Sequence, residues 1–408
     1  MAVITQAQAI TPVDVSDARL YVEDRWREPF AELRRTMPVS FRPDSPFGPY
    51  WSVVTHDLIR EVEARPDLFS SSYEYGGITI QDMLGDRVFP NFIAMDGERH
   101  AAQRSTVQPA LKPKEMARRE TEIRARTRAL FDSLPMGEGF DWVGRVSTEL
   151  TIGMLAILFD FPWEERMDLR RWSDWASDVR ADPTPEYYAE HQAQMMQMLQ
   201  RFDRLMEEKR GLPPSDDLIS RLVHSEAMSN LPDAERLANI ALLIVGGNDT
   251  TRNSMSAFAH ICHLFPAAYD RLRGEPDLVT TAIQEVIRWQ SPVTHMRRTC
   301  LVDTELGGQR IRAGDKVVLW YISANRDERV FPDPDVADFA REDAHRHLAF
   351  GFGVHRCVGF RLAELQLRAL LEEVISRNLR IELAGAPQWA GTPFLHIYDH
   401  LPVRISRG

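Results

Sequence analysis

Phe350-Gly351-Phe352-Gly353-Val354-His355-Arg356-Cys357-Val358-Gly359 is the stretch on which the reading of this 408-residue chain turns. It runs into Phe360-Arg361-Leu362-Ala363-Glu364-Leu365-Gln366-Leu367, whose apolar spacing predicts the opening of a buried helix. A cysteine at a helix start meets the positive end of the dipole and several unpaired backbone N–H groups, and both favour the thiolate. Gly351 and Gly353 admit positive φ, which lets the loop turn its amides toward the sulfur. Gly359 leaves room near the helix start for a flat group to lie against the backbone.

A thiolate offered to a flat partner is what a haem iron needs as its proximal ligand. A lone cysteine is more simply a small buried hydrophobe, so the aromatic-glycine pattern around Cys357 carries the functional reading. That pattern resembles the haem-binding loop of the cytochrome P-450 superfamily, Phe-Gly-x-Gly-x-x-x-Cys-x-Gly, and every fixed position is matched. The resemblance implies a mainly α fold with a minor β region. It also implies a triangular domain holding haem b between a long oxygen-binding helix and the cysteine-loop helix. Cys357 is then the axial ligand of the iron, with Phe350 and Gly351 against the cofactor.

The composition, 44% hydrophobic and 27% charged, is ordinary for a globular protein. A net charge of −11 argues against nucleic acid or an anionic membrane as partner. Three widely spaced cysteines (Cys262, Cys300, Cys357) argue against a disulfide framework and for a reducing cytoplasm. Met1 to Leu20 has neither a basic n-region nor a continuous apolar run, and no window is long and apolar enough for a membrane span. No repeat, low-complexity tract or linker interrupts the chain. We expect one domain over 1–408, with 1–20 as an N-terminal arm, in a soluble cytoplasmic protein.

Along the chain, Tyr50 to Val54 reads as a strand, followed by a short helix near Asp57 to Ala64. Pro113 to Val223 is mostly helical, punctuated by Pro162, Pro183 and Pro213, with Gly211 to Asp217 as a surface loop. A long apolar helix spans about Pro232 to Phe265. Val302 to Trp320 alternates as strands do, with turns at Gly307-Gly308 and Ala313-Gly314, and Leu379 to Ile405 holds short strands.

The long helix breaks its own rule at Val245-Gly246-Gly247-Asn248-Asp249-Thr250-Thr251. Glycine inside a helix costs about 0.5–1 kcal/mol relative to alanine, and a buried acid costs more unless partnered. Such violations collect at functional sites. The stretch resembles the superfamily's oxygen-activating motif, Ala/Gly-Gly-x-Asp/Glu-Thr. By that resemblance the glycines open a groove for dioxygen, Thr250 offers it a hydroxyl, and Asp249 relays protons from solvent.

Glu285 and Arg288 stand three residues apart on one helix face, ordinarily a surface ion pair. Their place between the long helix and the cysteine loop matches the superfamily's Glu-x-x-Arg pair, which implies a structural network closed by Arg341. Ala337 occupies a position that usually carries an aromatic residue. Haem propionates demand basic or hydrogen-bonding groups around an apolar slot. His100 and Arg104 (His-x-x-x-Arg), Arg298 and His355 match the superfamily's pattern for that role, with Arg298 preferred to Arg297 by its spacing to Asp303-Thr304-Glu305-Leu306-Gly307.

Several further stretches resemble the bacterial soluble alkane and fatty-acid terminal (ω-) hydroxylases. They include Phe41-Arg42-Pro43-Asp44-Ser45-Pro46-Phe47-Gly48-Pro49-Tyr50-Trp51, Gly246 to Ser254, and Arg288-Trp289-Gln290-Ser291-Pro292. The resemblance implies hydroxylation at the end of a medium-length alkyl chain with electrons from NAD(P)H. A terminal C–H bond is stronger than its methylene neighbours, so terminal attack requires a narrow apolar channel. Leu242, Val245, Gly246 and Val293 are its candidate lining; Ile78, Ile80 and Met83 are a candidate cap, and Met195, Met196 and Met198 an adaptable entrance.

The chain has neither a dinucleotide fingerprint nor a cysteine cluster for iron–sulfur. Electrons must then come from separate proteins, most simply a [2Fe–2S] ferredoxin and its NAD(P)H-dependent reductase. Arg346, Arg356 and Arg361 could form a basic docking patch. Alkane and fatty acid both stay open as substrate, and a steroid or terpene hydroxylase would use the same motifs. A peroxygenase would not need Thr250 and Asp249. A haem-based sensor or carrier is the alternative of another class.

Overall fold

The computed structural model describes residues 13–82, 90–178 and 184–408. Residues 1–12 of the expected arm, Met83 and Pro183 lie outside the described residues. The helix Asp233–Leu264 forms the axis of the molecule. Pro232 sets its start, Asp233 and Glu235 complement the dipole in its first turn, and Pro266 ends it one residue past Phe265. Most of its side chains from Asn248 to Cys262 are buried, because helices cover it on several sides.

The helices Arg166–Ser177, Glu149–Phe159, Val279–Gln290 and Phe360–Ser376 all pack on this axis. Glu149–Phe159 crosses it closely at Gly247, where a Cβ would lie 2.6 Å from Leu155 Cδ2. Two hydrogen bonds fix that crossing: the Thr151 hydroxyl donates to Asn248 Oδ1 at 2.8 Å, and the Ser147 and Ser256 hydroxyls pair at 2.9 Å. The long helix Pro185–Arg210, capped by Thr184, lies over Arg166–Ser177 and Leu218–Val223. The expected loop between them, Gly211 to Asp217, is exposed until Asp217, whose carboxylate caps the next helix.

The β region is small. A five-stranded sheet runs Val39–Arg42, Tyr50–Val53, Lys316–Leu319, Met296–Cys300, Phe69–Ser70, with one parallel pairing, Tyr50–Val53 beside Lys316–Leu319. The turns expected at Gly307-Gly308 and Gly314 are present, all three glycines at positive φ. However, Thr304–Leu306 and Gln309–Ile311 form their own hairpin rather than joining that sheet. Leu379–Leu383, Pro402–Arg407 and Gly139–Asp141 make a three-stranded sheet. Among the described residues, no helix is long and apolar enough to cross a membrane.

Candidate functional site

Cys357 lies three residues ahead of the helix Phe360–Ser376, with its backbone N–H held by Phe350 O at 2.8 Å. Gly351 and Gly353 take φ of 67° and 68°. At Gly353 a Cβ would sit 2.5 Å from the backbone oxygen of Glu63, so the loop can close here only around glycine. Burial pushes the Cys357 thiol above its ordinary range; the Gly359 N–H, Arg104 and Arg356 pull the other way without prevailing. The Gly359 N–H at the helix start favours the thiolate as the sequence leads one to expect, but burial outweighs it. A cation bound to the sulfur would secure the thiolate.

The sulfur borders a large, mainly apolar cavity between the cysteine-loop helix and the central helix. Leu242, Val245, Gly246, Thr250 and Val293 are on its wall, as are Phe350, Gly351, Arg104, Arg298 and His355. Gly246 opens onto it, since a Cβ there would meet nothing within 4 Å. The two glycines thus divide the work expected of both: Gly246 makes space, and Gly247 admits the neighbouring helix.

The basic end of the cavity fits two propionates. His355 packs against His100 with ring centroids 4.3 Å apart and the rings tilted by 39°. His100 Nε2 and both His355 nitrogens are buried without a hydrogen bond, and the nearest acid of His355, Asp96, is 3.7 Å away. Unpartnered imidazole nitrogens, at least one of them an N–H on His355, beside Arg104 and Arg298 suit an anionic ligand. His100 itself does not reach the wall; it backs His355, and burial with the adjoining His355 and Arg104 brings its pKa down to about 4. Arg297 turns away, to the Gly76 carbonyl at 3.2 Å and to Asp82.

Thr250 donates its hydroxyl to Gly246 O at 3.1 Å, the carbonyl one turn earlier. Asp249 faces outward from the cavity and is fully buried. Its Oδ1 accepts from Asn248 at 2.8 Å and from Arg252 at 2.9 Å, and burial still raises its pKa. The sequence reading passed over Arg252, although i,i+3 spacing from Asp249 is a usable signal.

Glu285 and Arg288 are fully buried, not a surface pair. Arg288 donates to both carboxylate oxygens at 2.7 and 2.8 Å, and Arg341 reaches Glu285 Oε1 at 3.1 Å. Ala337 and Phe339 are both buried, and Phe339 packs its ring against Phe258 of the central helix, so the alanine leaves no exposed gap.

Of the other pocket residues, Ile78 and Met195 line the cavity. Ile80 does not: it packs in a separate core with Trp320. Met198 is buried away from the wall and Met196 is exposed, so the three methionines form no common entrance. The sequence reading missed Tyr321, Phe394 and Leu395; the last two arrive through an isolated bridge between Val293 and Leu395 that no local pattern announces. Ser254, one turn beyond Thr250, could have been found by helical spacing.

A family model described as Cytochrome P450 matches residues 171–385. The solved structure of CYP153D17 from Sphingomonas sp. PAMC 26605 has a TM-score of 0.93 at 51% identity, over 97% of this chain and 99% of that one. Linalool 8-monooxygenase of Pseudomonas putida is 38% identical over 400 residues, 96% of this chain and 98% of the relative. A methyl-branched lipid omega-hydroxylase of Mycobacterium bovis is 32% identical over 436 residues, covering 99% of each.

Proposed function

This chain belongs to the cytochrome P450 family, and on that premise we propose that it hydroxylates the terminal carbon of a medium-chain alkane or fatty acid. It is a monooxygenase whose cofactor is haem b. When bound, the haem activates dioxygen and supplies the oxidant. Cys357 is the ligand we assign to the iron, and Arg104, Arg298 and His355 hold the propionates, with His100 supporting His355.

The observation that carries the substrate reading is the wall of the cavity. Leu242, Val245 and Val293 border the side of the central helix on which Gly246 makes its opening. A wall of branched apolar side chains admits an alkyl end and excludes water, which favours presentation of one carbon at a time. Similarity to an omega-hydroxylase supports the same reading. Thr250 presents its hydroxyl at that opening, and Asp249 supplies the proton. For that step the Asp249 carboxyl turns from Arg252 toward the cavity, and its raised pKa keeps it a usable acid. Glu285, Arg288 and Arg341 hold the core behind the cysteine loop.

Electrons reach a P450 from a redox partner; we assign a [2Fe–2S] ferredoxin and its NAD(P)H-dependent reductase, and place the protein in the cytoplasm, where its three free cysteines would stay reduced. A terpene alcohol is the second reading, favoured by the likeness to linalool 8-monooxygenase. The deciding experiment is product analysis by mass spectrometry after turnover of dodecanoic acid, dodecane and linalool with a surrogate ferredoxin system. Mainly ω-hydroxylated chain supports the first reading. Subterminal product, or turnover of linalool alone, rejects it.

A further inference from the structure

Glu63 closes the short helix His56–Glu63 with its side chain buried. Its Oε1 accepts from the Tyr321 hydroxyl at 2.6 Å and from the Arg298 guanidinium at 3.2 Å. Both partners line the cavity that Cys357 borders, so Glu63 stands directly behind its wall. Its backbone oxygen is also the atom that Gly353 packs against. A buried carboxylate is costly unless its partners offset the lost water. Here both side-chain partners belong to one patch of the cavity wall.

Arg298 carries five N–H donors. Of its three guanidinium nitrogens, Nη1 donates to Arg297 O at 2.8 Å and Nη2 to Glu63. The guanidinium is therefore held from behind while its remaining donors can face the cavity. We propose that Glu63 is the positioning residue that fixes Arg298 for a haem propionate. This rests on the reading of Arg298 as a propionate ligand. Without Glu63, an incoming propionate would itself have to order the long arginine side chain, which loses rotamer freedom on binding. Glu63 also sets a second carboxylate against the same guanidinium, so the corner is not left with uncompensated positive charge.

The test follows the rate of haem transfer from the purified holoenzyme to excess apomyoglobin, and the haem reduction potential by spectroelectrochemistry. The variants are Glu63→Gln, Arg298→Gln and the double substitution, with Glu63→Asp as a milder form that keeps the charge. Each single substitution to glutamine should speed haem loss about tenfold, and the double should be no faster than Arg298→Gln alone, because Glu63 acts through Arg298. Removing a carboxylate beside the cofactor should also shift the ferric–ferrous equilibrium toward ferrous by about tenfold, 59 mV for one electron. Glu63→Asp should move both readouts in the same sense and by less. Faster haem loss in Arg298→Gln with no change in Glu63→Gln overturns the inference. So do additive effects with an unchanged potential, which would make Glu63 a packing residue only. If Arg298→Gln itself leaves haem loss unchanged, the propionate reading fails and takes the inference with it.

Discussion

Arg252 holds Asp249 at 2.9 Å within one turn of the central helix, and the same guanidinium reaches Asp174 at 3.1 Å. Asp249 is fully buried, whereas Asp174 is half exposed and borders an open pocket. A buried acid that does not face the cavity is thus tied outward to solvent through a single arginine. Asp174 also raises the Asp249 pKa. Asp174→Asn should leave Arg252 with Asp249 as its remaining carboxylate partner, tightening that pair, lowering the Asp249 pKa and leaving the acid less often protonated for its proton delivery. We expect turnover to fall about three- to tenfold, roughly 1 kcal/mol, with more reducing equivalents lost per product. Asp249→Asn should cost about 100-fold or more. Product formed per NAD(P)H consumed, with the solvent isotope effect, checks both.

The paired glycines of the central helix should respond in opposite ways. A Cβ at Gly247 would lie 2.6 Å from Leu155, so Gly247→Ala should destabilise by about 1–3 kcal/mol through overpacking. Leu155→Ala in that background should recover part of the loss. A Cβ at Gly246 meets nothing within 4 Å, so Gly246→Ala should keep or slightly raise Tm while changing which substrates bind. Thermal melts and substrate-induced spectral titrations separate the two.

These two glycines also mark the limit of what the sequence made legible. Motif spacing located Cys357, Thr250 and the Glu285–Arg288 pair, because each depends on neighbours a few residues away. It identified Gly246 and Gly247 as exceptional yet could not divide their roles, since Leu155 lies on a helix far off in sequence. The same limit hid Glu63, whose meaning comes from Arg298 and Tyr321 across 235 and 258 residues. It also misassigned Ile80, offered with Ile78 as part of a cap, because its packing partners Val318 and Trp320 lie far off in sequence. Long helices were legible because period and proline stops are local; which faces meet is not.

Acid should weaken the fold in a window set by neutral buried histidines. Burial brings His347 and His295 down to about 3. His347 accepts at Nδ1 from the Ala349 N–H at 3.2 Å, so its ring proton sits on Nε2, 3.1 Å from Gln284 Oε1. Because the folded pKa is depressed below the unfolded value of 6.5, protons bind the unfolded chain first. The stabilisation is complete above 6.5 and is lost as pH falls toward 3. Each such histidine should cost about 1.4 kcal/mol by pH 5.5. Glu285, whose pKa Arg288 and Arg341 lower against the opposing effect of burial, loses its contribution only below its ordinary value of 4.5. Denaturant unfolding between pH 7 and 5 should therefore report the histidines, and His347→Gln should flatten the slope. An unchanged slope would contradict this assignment.

The basic surface beside the cysteine loop should govern electron delivery. Arg356 and Arg361 are exposed, and their guanidinium carbons lie 4.4 and 4.6 Å from the Phe360 ring centroid, next to the exposed Val354. Stacking on one ring holds the two charges together without an acid to neutralise them in any ion pair found among the described residues. Arg346, by contrast, has Asp343 at 3.5 Å, so its charge is partly spent. On a protein of net charge −11, such a patch gives an acidic partner a place to dock. Arg361→Glu should slow the first electron transfer from ferredoxin severalfold, and Arg346→Glu should slow it less. Raising ionic strength from about 0.05 to 0.3 M should slow the wild type and have much less effect on Arg361→Glu, because screening acts on a charge the variant has lost. Stopped-flow reduction under carbon monoxide measures the step directly. Equal rates in all three proteins at every salt concentration would remove this face from the electron path.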